Sequence, residues 1–181
     1  MENNILKIAL FTARLIRIIF IIGLVVVTGM MIIYTIDSSI FEFENFRMVE
    51  ESFTNRSPGA FEEKGVPISN IPSLYIYLWS VKYLIYYIVL FFIVTIAIKI
   101  IKSIKSLSTF RSENVQSFRK IGLLFILMMA LASISIYASN GEVSLKLDLE
   151  LNYLIWALIS FVMAEVFSEG NKLMEENKLT I

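Results

Sequence analysis

The sequence contains no cysteine and no histidine in its 181 residues. Without cysteine there is no disulfide and no thiol nucleophile. Without histidine there is no imidazole base and no side chain that ordinarily titrates near neutral pH. Zinc and haem sites of the usual kind go with them. Proline occurs 3 times and glycine 7 times, with no glycine-rich phosphate loop. No pair of acids sits together inside an apolar run, so general acid–base chemistry has no visible site. These absences argue against an enzyme and leave no cofactor to expect. Charge is scarce as well, at 18% of the residues.

What is present is apolar. Hydrophobic residues make up 57% of the chain, where a soluble domain would have about 45–50%, and the mean hydropathy is +0.73. The 16 cations balance the 16 acids, but the two signs are segregated between uncharged runs. A membrane-spanning helix needs about 20 mostly apolar residues, and four runs qualify. The expected fold is an all-α membrane protein of four transmembrane helices in two antiparallel hairpins, with N and C termini cytoplasmic.

The segments follow in order. Residues 1–17 are a basic cytoplasmic segment with Lys7, Arg14 and Arg17 on one helical face. It reads either as an amphipathic helix on the inner leaflet or, preferably, as an extension of the first span with snorkelling cations. Residues 18–36 form the first span, uncharged and too long for a signal-peptide core, hence an uncleaved anchor. Residues 37–73 are an extracytoplasmic loop with seven acids and three cations. Phe41, Phe43 and Phe46 are candidates to pack it down, with turn signals at Asn55–Gly59 and Lys64–Pro67. A loop of this length is expected to hold a short hairpin or helix. Its acids match no calcium-loop spacing and read as a solvated face.

Residues 74–98 are the second span, opened by an aromatic belt of Tyr75, Tyr77, Trp79, Tyr83, Tyr86 and Tyr87. Lys82 lies within that belt. It reads as a snorkelling interfacial cation in preference to a pathway residue. Residues 99–120 are the central loop, with six cations (Lys99, Lys102, Lys105, Arg111, Arg119, Lys120) against the single acid Glu113. Its first half continues the second helix; Ser106–Thr109 breaks it. Ser112, with Glu113 beside it, reads as the capped start of a new helix running into the third span. Residues 121–141 are that span, ending at the turn signal Asn140-Gly141, and 142–148 are a short outer connection whose alternation allows a brief strand.

Residues 149–168 are the fourth span, and 169–181 a tail too polar and short to fold alone. Glu165 falls about one turn inside the inner edge. It either reaches interfacial water or pairs with Arg14, Arg17 or Lys99, which are expected at the same depth. Lys and Arg are concentrated in the central loop, so the positive-inside rule places that loop and both termini in the cytoplasm. Lys99, Lys102, Lys105, Arg14 and Arg17 are assigned to topology and to contact with anionic lipid.

Two stretches carry a family resemblance: Phe110-Arg-Ser-Glu-Asn-Val-Gln-Ser-Phe-Arg-Lys-Ile-Gly122, and Ala164-Glu-Val-Phe-Ser-Glu-Gly-Asn-Lys-Leu-Met-Glu-Glu-Asn-Lys-Leu-Thr-Ile181. Together they resemble the bacterial membrane proteins grouped as the domain-of-unknown-function 2975 family, with Thr109 standing where that family often has proline. The resemblance implies four helices in a bacterial cytoplasmic membrane and an activity not established for the family. It also implies a neighbour, a small helix-turn-helix DNA-binding protein. The expected function is a membrane-bound regulator or anchor that docks this protein through the central loop and tail. The candidate partner-binding residues are Phe110, Asn114, Val115, Arg119, Glu165, Gly170, Leu173, Glu175, Glu176, Leu179 and Ile181, and the final Lys178–Ile181 is a candidate to add a strand to a partner. The alternative is a small transporter or an immunity-type protein using Lys82 and Glu165. Direct nucleic-acid binding is not expected, because the loop cations lie close to the bilayer with no recognition helix.

Overall fold

Inside a bilayer a backbone must satisfy its own polar groups, and a helix does this within one segment. The computed structural model describes residues 4–41, 47–48, 66–67, 71–105, 110–139 and 142–179. Its four helices are α1 (Asn4–Ile36), α2 (Ser73–Lys105), α3 (Ser112–Ser133) and α4 (Asn152–Leu179). Each is long and apolar enough to cross a membrane. Between α1 and α2 come a 3-10 turn at Ser38–Phe41 and a two-residue strand pair, β1 (Arg47–Met48) with β2 (Val66–Pro67). The long loop therefore holds the expected local structure. Phe43, Phe46, the turn at Asn55–Gly59, the break at Ser106–Thr109 and Asn140-Gly141 lie outside the described residues.

α1 is one unbroken helix of 33 residues. The N-terminal basic residues from Lys7 onward thus extend the first span, the preferred of the two readings. α1 packs mainly on α2. Tyr34 Oη donates to Ser73 Oγ at 3.2 Å, and the hydroxyls of Thr35 and Tyr77 lie 3.3 Å apart. Deeper down, the ring of Tyr87 covers Gly23, where an added Cβ would fall 2.7 Å from the ring.

α3 packs on α4 in a regular pattern. Along α4 the residues turned inward are Tyr153, Ala157, Ser160, Ala164, Phe167 and Asn171, alternating by four and three. Along α3 they include Val115, Phe118, Gly122 and Phe125. This spacing averages 3.5 residues, the seam of a left-handed helix pair. Ala157 and Ala164 are each only 1% exposed. Such small residues allow the close approach that drives helix association in lipid. Gly122 takes the ring of Phe161, again with a Cβ-to-ring approach of 2.8 Å. A second cluster of Val89, Ile93, Ile100, Ile121 and Met128 joins α2 to α3.

Three expectations need correction. The third span, expected at residues 121–141, is shorter as a helix: α3 ends at Ser133 and residues 134–139 form strand β3. β3 (Ile134–Ser139) pairs antiparallel with β4 (Glu142–Leu147), in the register Ile134↔Leu147 to Ser139↔Glu142. The alternating Ile-Ser-Ile-Tyr-Ala-Ser and the two-residue Asn-Gly connection are hairpin signals. They override the apolar count. Secondly, the cap of α3 is Arg111, in an extended conformation with no side-chain cap bond, and Ser112 is the first helical residue. Thirdly, the tail is helical: α4 runs on to Leu179. Adding residues to an existing helix avoids the nucleation cost that a free tail would face. Lys178 and Leu179 are therefore not strand, and Thr180 and Ile181 lie outside the described residues.

The glycine contacts make a test. Gly122→Val should destabilise the protein by roughly 1–3 kcal/mol through overpacking against Phe161. Thermal unfolding in detergent should show a lowered midpoint, part of which returns in the Gly122→Val, Phe161→Ala double variant.

Candidate functional site

The described residues singled out by sequence gather around the packing of the start of α3 on α4 from Ala164 onward, but they divide into a buried joint and an exposed rim. Asn114 and Val115 belong to the joint. Val115 packs with Ala164 and Phe167. Asn114 is 4% exposed, and its Nδ2 donates to Ser103 Oγ of α2 at 2.8 Å. That bond spans the central loop and fixes the end of α2 against the start of α3. The expectation that Asn114 offers a polar group to a partner is corrected: it is an internal tie. A buried amide left without its partner would be costly, which explains why it stands opposite a serine.

Phe110 and Gly170 are one contact. The Phe110 ring lies so close to Gly170 that an added Cβ would collide with its Cδ1 edge. The same ring meets Phe167 at a centroid distance of 5.6 Å, and Phe167 in turn meets Phe118 at 4.9 Å, edge to face. The ladder Phe110–Phe167–Phe118 clamps the loop end of α3 onto α4.

The rim is made of Arg119, Glu165, Leu173, Glu175 and Glu176. Arg119 Nη2 lies 3.8 Å from Glu165 Oε2, with more than half of each side chain exposed. The expected partners Arg14, Arg17 and Lys99 are replaced by Arg119, which the helix pairing brings to Glu165. Glu175 Oε1 accepts from Asn171 Nδ2 at 3.1 Å, and Lys172 Nζ donates to Glu169 Oε1 at 2.6 Å. These one-turn pairs stiffen a helix in water. Leu173 is 60% exposed. The backbone of Leu179 is helical; Ile181 lies outside the described residues.

Lys99, Lys102 and Lys105 are all exposed on α2, and the last two occupy its final turn, where cations suit the helix dipole. Arg14 is exposed and Arg17 half-buried on α1. Lys82 donates to the backbone carbonyl of Ile134, just past the end of α3, whereas Glu165 lies beside Arg119 near the other end of that helix. The two residues of the transporter reading do not share a site.

Ser103 and Phe167 escaped the sequence reading. Ser103 sits among the loop lysines and looked like part of a wet face; only the crossing of α2 over α3 reveals it as the acceptor for Asn114. The heptad run from Tyr153 to Asn171 could have flagged Phe167. No group of three or more acidic, histidine or cysteine side chains is placed to hold a metal among the described residues.

A family model described as "Protein of unknown function (DUF2975)" matches residues 68–181, well over half of the chain. No curated protein matches the chain, and no solved structure does.

The two halves of the site should behave differently in double-mutant cycles. The Asn114→Ala, Ser103→Ala cycle should show a coupling of about 1 kcal/mol in unfolding free energy. The Arg119→Ala, Glu165→Ala cycle should give about 0.5 kcal/mol or less, as exposed ion pairs do. A larger coupling for the second pair would overturn the division into joint and rim.

Proposed function

The chain belongs to the DUF2975 family of unknown function, and on that premise we propose that it is a multi-pass membrane anchor for a small cytoplasmic regulator of the helix-turn-helix type. In this reading the four helices form two antiparallel hairpins, with both termini and the central loop in the cytoplasm. The bilayer is that of a bacterial cell, as the family resemblance implies. The membrane assignment itself rests on four apolar helices.

One observation carries the docking proposal: α4 continues as a helix beyond its last long apolar stretch and exposes Leu173 and Met174 beside Glu169, Glu175 and Glu176. Apolar side chains on a solvent-side helix suit helix-in-groove binding. That mode replaces strand addition by the tail. The Phe110–Gly170 contact holds the projecting helix at a fixed angle, which lowers the ordering cost of binding. The cations of the central loop face anionic headgroups beside the docking surface, each contributing about 1 kcal/mol near such a membrane.

Deletion after Ser168 should abolish co-purification of a helix-turn-helix partner, and Leu173→Glu should weaken it about tenfold, the loss of one anchor side chain. Unchanged recovery of the partner with both variants would sink the proposal. Orientation is separately testable because the chain has no cysteine. A Ser57→Cys variant should react in intact cells with a membrane-impermeant thiol reagent, and a Ser108→Cys variant should react only after lysis. The reverse pattern would invert the topology.

A further inference from the structure

At the end of the bundle away from the central loop, a cavity of about 330 Å³ lies between α2, the end of α3 and the start of α4. This is the lower end of the range of small-ligand sites, roughly 300–1,000 Å³. Its lining is Lys82, Tyr83, Tyr86, Ala132, Glu150 and Tyr153. One cation, one carboxylate and three phenols converge on a space that apolar packing leaves open.

The lining is held by polar contacts that the hairpin creates. Ser133 is the hinge. Its carbonyl accepts from Asp148 N at 2.9 Å, and its hydroxyl accepts from Glu150 N at 3.2 Å. Both bonds fix where Glu150 enters the cavity. One residue further, the carbonyl of Ile134 accepts from Lys82 Nζ, which draws the ammonium to the same mouth. The hydroxyls of Tyr86 and Tyr153 lie 2.7 Å apart and close the wall between α2 and α4. Trp79 packs on Tyr83 at a centroid distance of 4.3 Å and backs the other wall.

The surroundings are those of a lipid headgroup layer. The uncharged helical part of α3, Ile121–Ser133, is 13 residues, which spans about 20 Å of a hydrocarbon core of about 30 Å. The base of the hairpin therefore starts about 10 Å short of the far boundary, and its strands, rising about 3.3 Å per residue, carry the chain across that distance, so the cavity lies just inside the membrane boundary and opens toward it. Beside Glu150, the alternate residues Leu145, Leu147 and Leu149 are 68%, 80% and 75% exposed. Three exposed leucines in a row are suited to acyl chains.

We infer that this cavity is a binding site for the zwitterionic headgroup of a phospholipid, the phosphodiester held by Lys82 and the ammonium by Glu150 among the tyrosines. A phosphate accepts charge-assisted hydrogen bonds from an ammonium donor, and a ligand ammonium is attracted both by a carboxylate and by aromatic faces. The leucines assign the source as a membrane lipid over a soluble phosphoethanolamine. The site depends on the helices being membrane spans and not on any docked regulator.

The test uses the full chain in detergent, incubated with equal amounts of phosphatidylethanolamine and phosphatidylglycerol, with bound lipid read by native mass spectrometry. The wild type should retain phosphatidylethanolamine about tenfold over phosphatidylglycerol, the worth of one charge-assisted contact. Lys82→Gln should lower retention of both lipids. Glu150→Gln should erase the preference and leave phosphatidylglycerol retention unchanged, so the proposal stays falsifiable even if loss of the Lys82–Ile134 contact unfolds the first variant. Leu173→Glu, which probes the docking face, should bind both lipids as the wild type does. Displacement of the lipid by free O-phosphoethanolamine would support the headgroup chemistry and overturn the membrane source. Equal retention of the two lipids by the wild type would overturn the site.

Discussion

Close approach of helices is the constraint on which the structure depends. In lipid, apolar side chains gain little by leaving the solvent, because the solvent is itself apolar. Cohesion must then come from fit. Three glycines supply it, each receiving an aromatic ring: Gly23 takes Tyr87, Gly122 takes Phe161 and Gly170 takes Phe110. The first joins α1 to α2, and the other two join α3 and Phe110, two residues before its start, to α4. Ala157 and Ala164 extend the same device along the α4 seam. Each contact is specific because a single methyl group at the glycine would collide with the ring.

Polar bonds then do what apolar packing cannot, which is to fix the helix ends. At one end Asn114 and Ser103 tie α2 to α3 across the central loop. At the other, Ser133, Ile134, Lys82 and the Tyr86–Tyr153 pair tie the hairpin, α2 and α4 together. The middle of the bundle is apolar and tightly packed around Met128, which is fully buried. Among the described residues, these ties between elements lie toward the two ends of the bundle, while mid-helix hydroxyls such as Ser160 and Thr28 bond within their own helix.

Helix number and the approximate positions of the spans were legible because uncharged runs of this length have few other uses. The continuation of α2 to Lys105 was legible too, since lysines spaced by three left one wet face on a helix. The stop of α3 at Ser133 was harder. Ile-Ser-Ile-Tyr-Ala-Ser is as apolar on average as a span, and only its period of two, followed by Asn-Gly, distinguishes a strand. The candidate site was half legible. Residues 110–122 and 164–179 do come together, but a motif does not say which of its members face inward. Asn114 looked like a surface group because asparagine usually is one. Its burial follows from a serine eleven residues earlier, on a different helix. The Arg119–Glu165 pairing likewise depends on the α3–α4 register, which no single segment encodes.

The course of α4 has a mechanical consequence. It is a single helix of 28 residues, about 42 Å long at 1.5 Å per residue, with its first turn at the cavity and its last beyond the loop end of the bundle. Its one glycine, Gly170, would be the natural place for such a rod to bend, and the Phe110 ring is seated there like a splint. The wall carrying Tyr153 and the face carrying Leu173 therefore stand on one continuous helix, 20 residues or about 30 Å apart, with the brace between them.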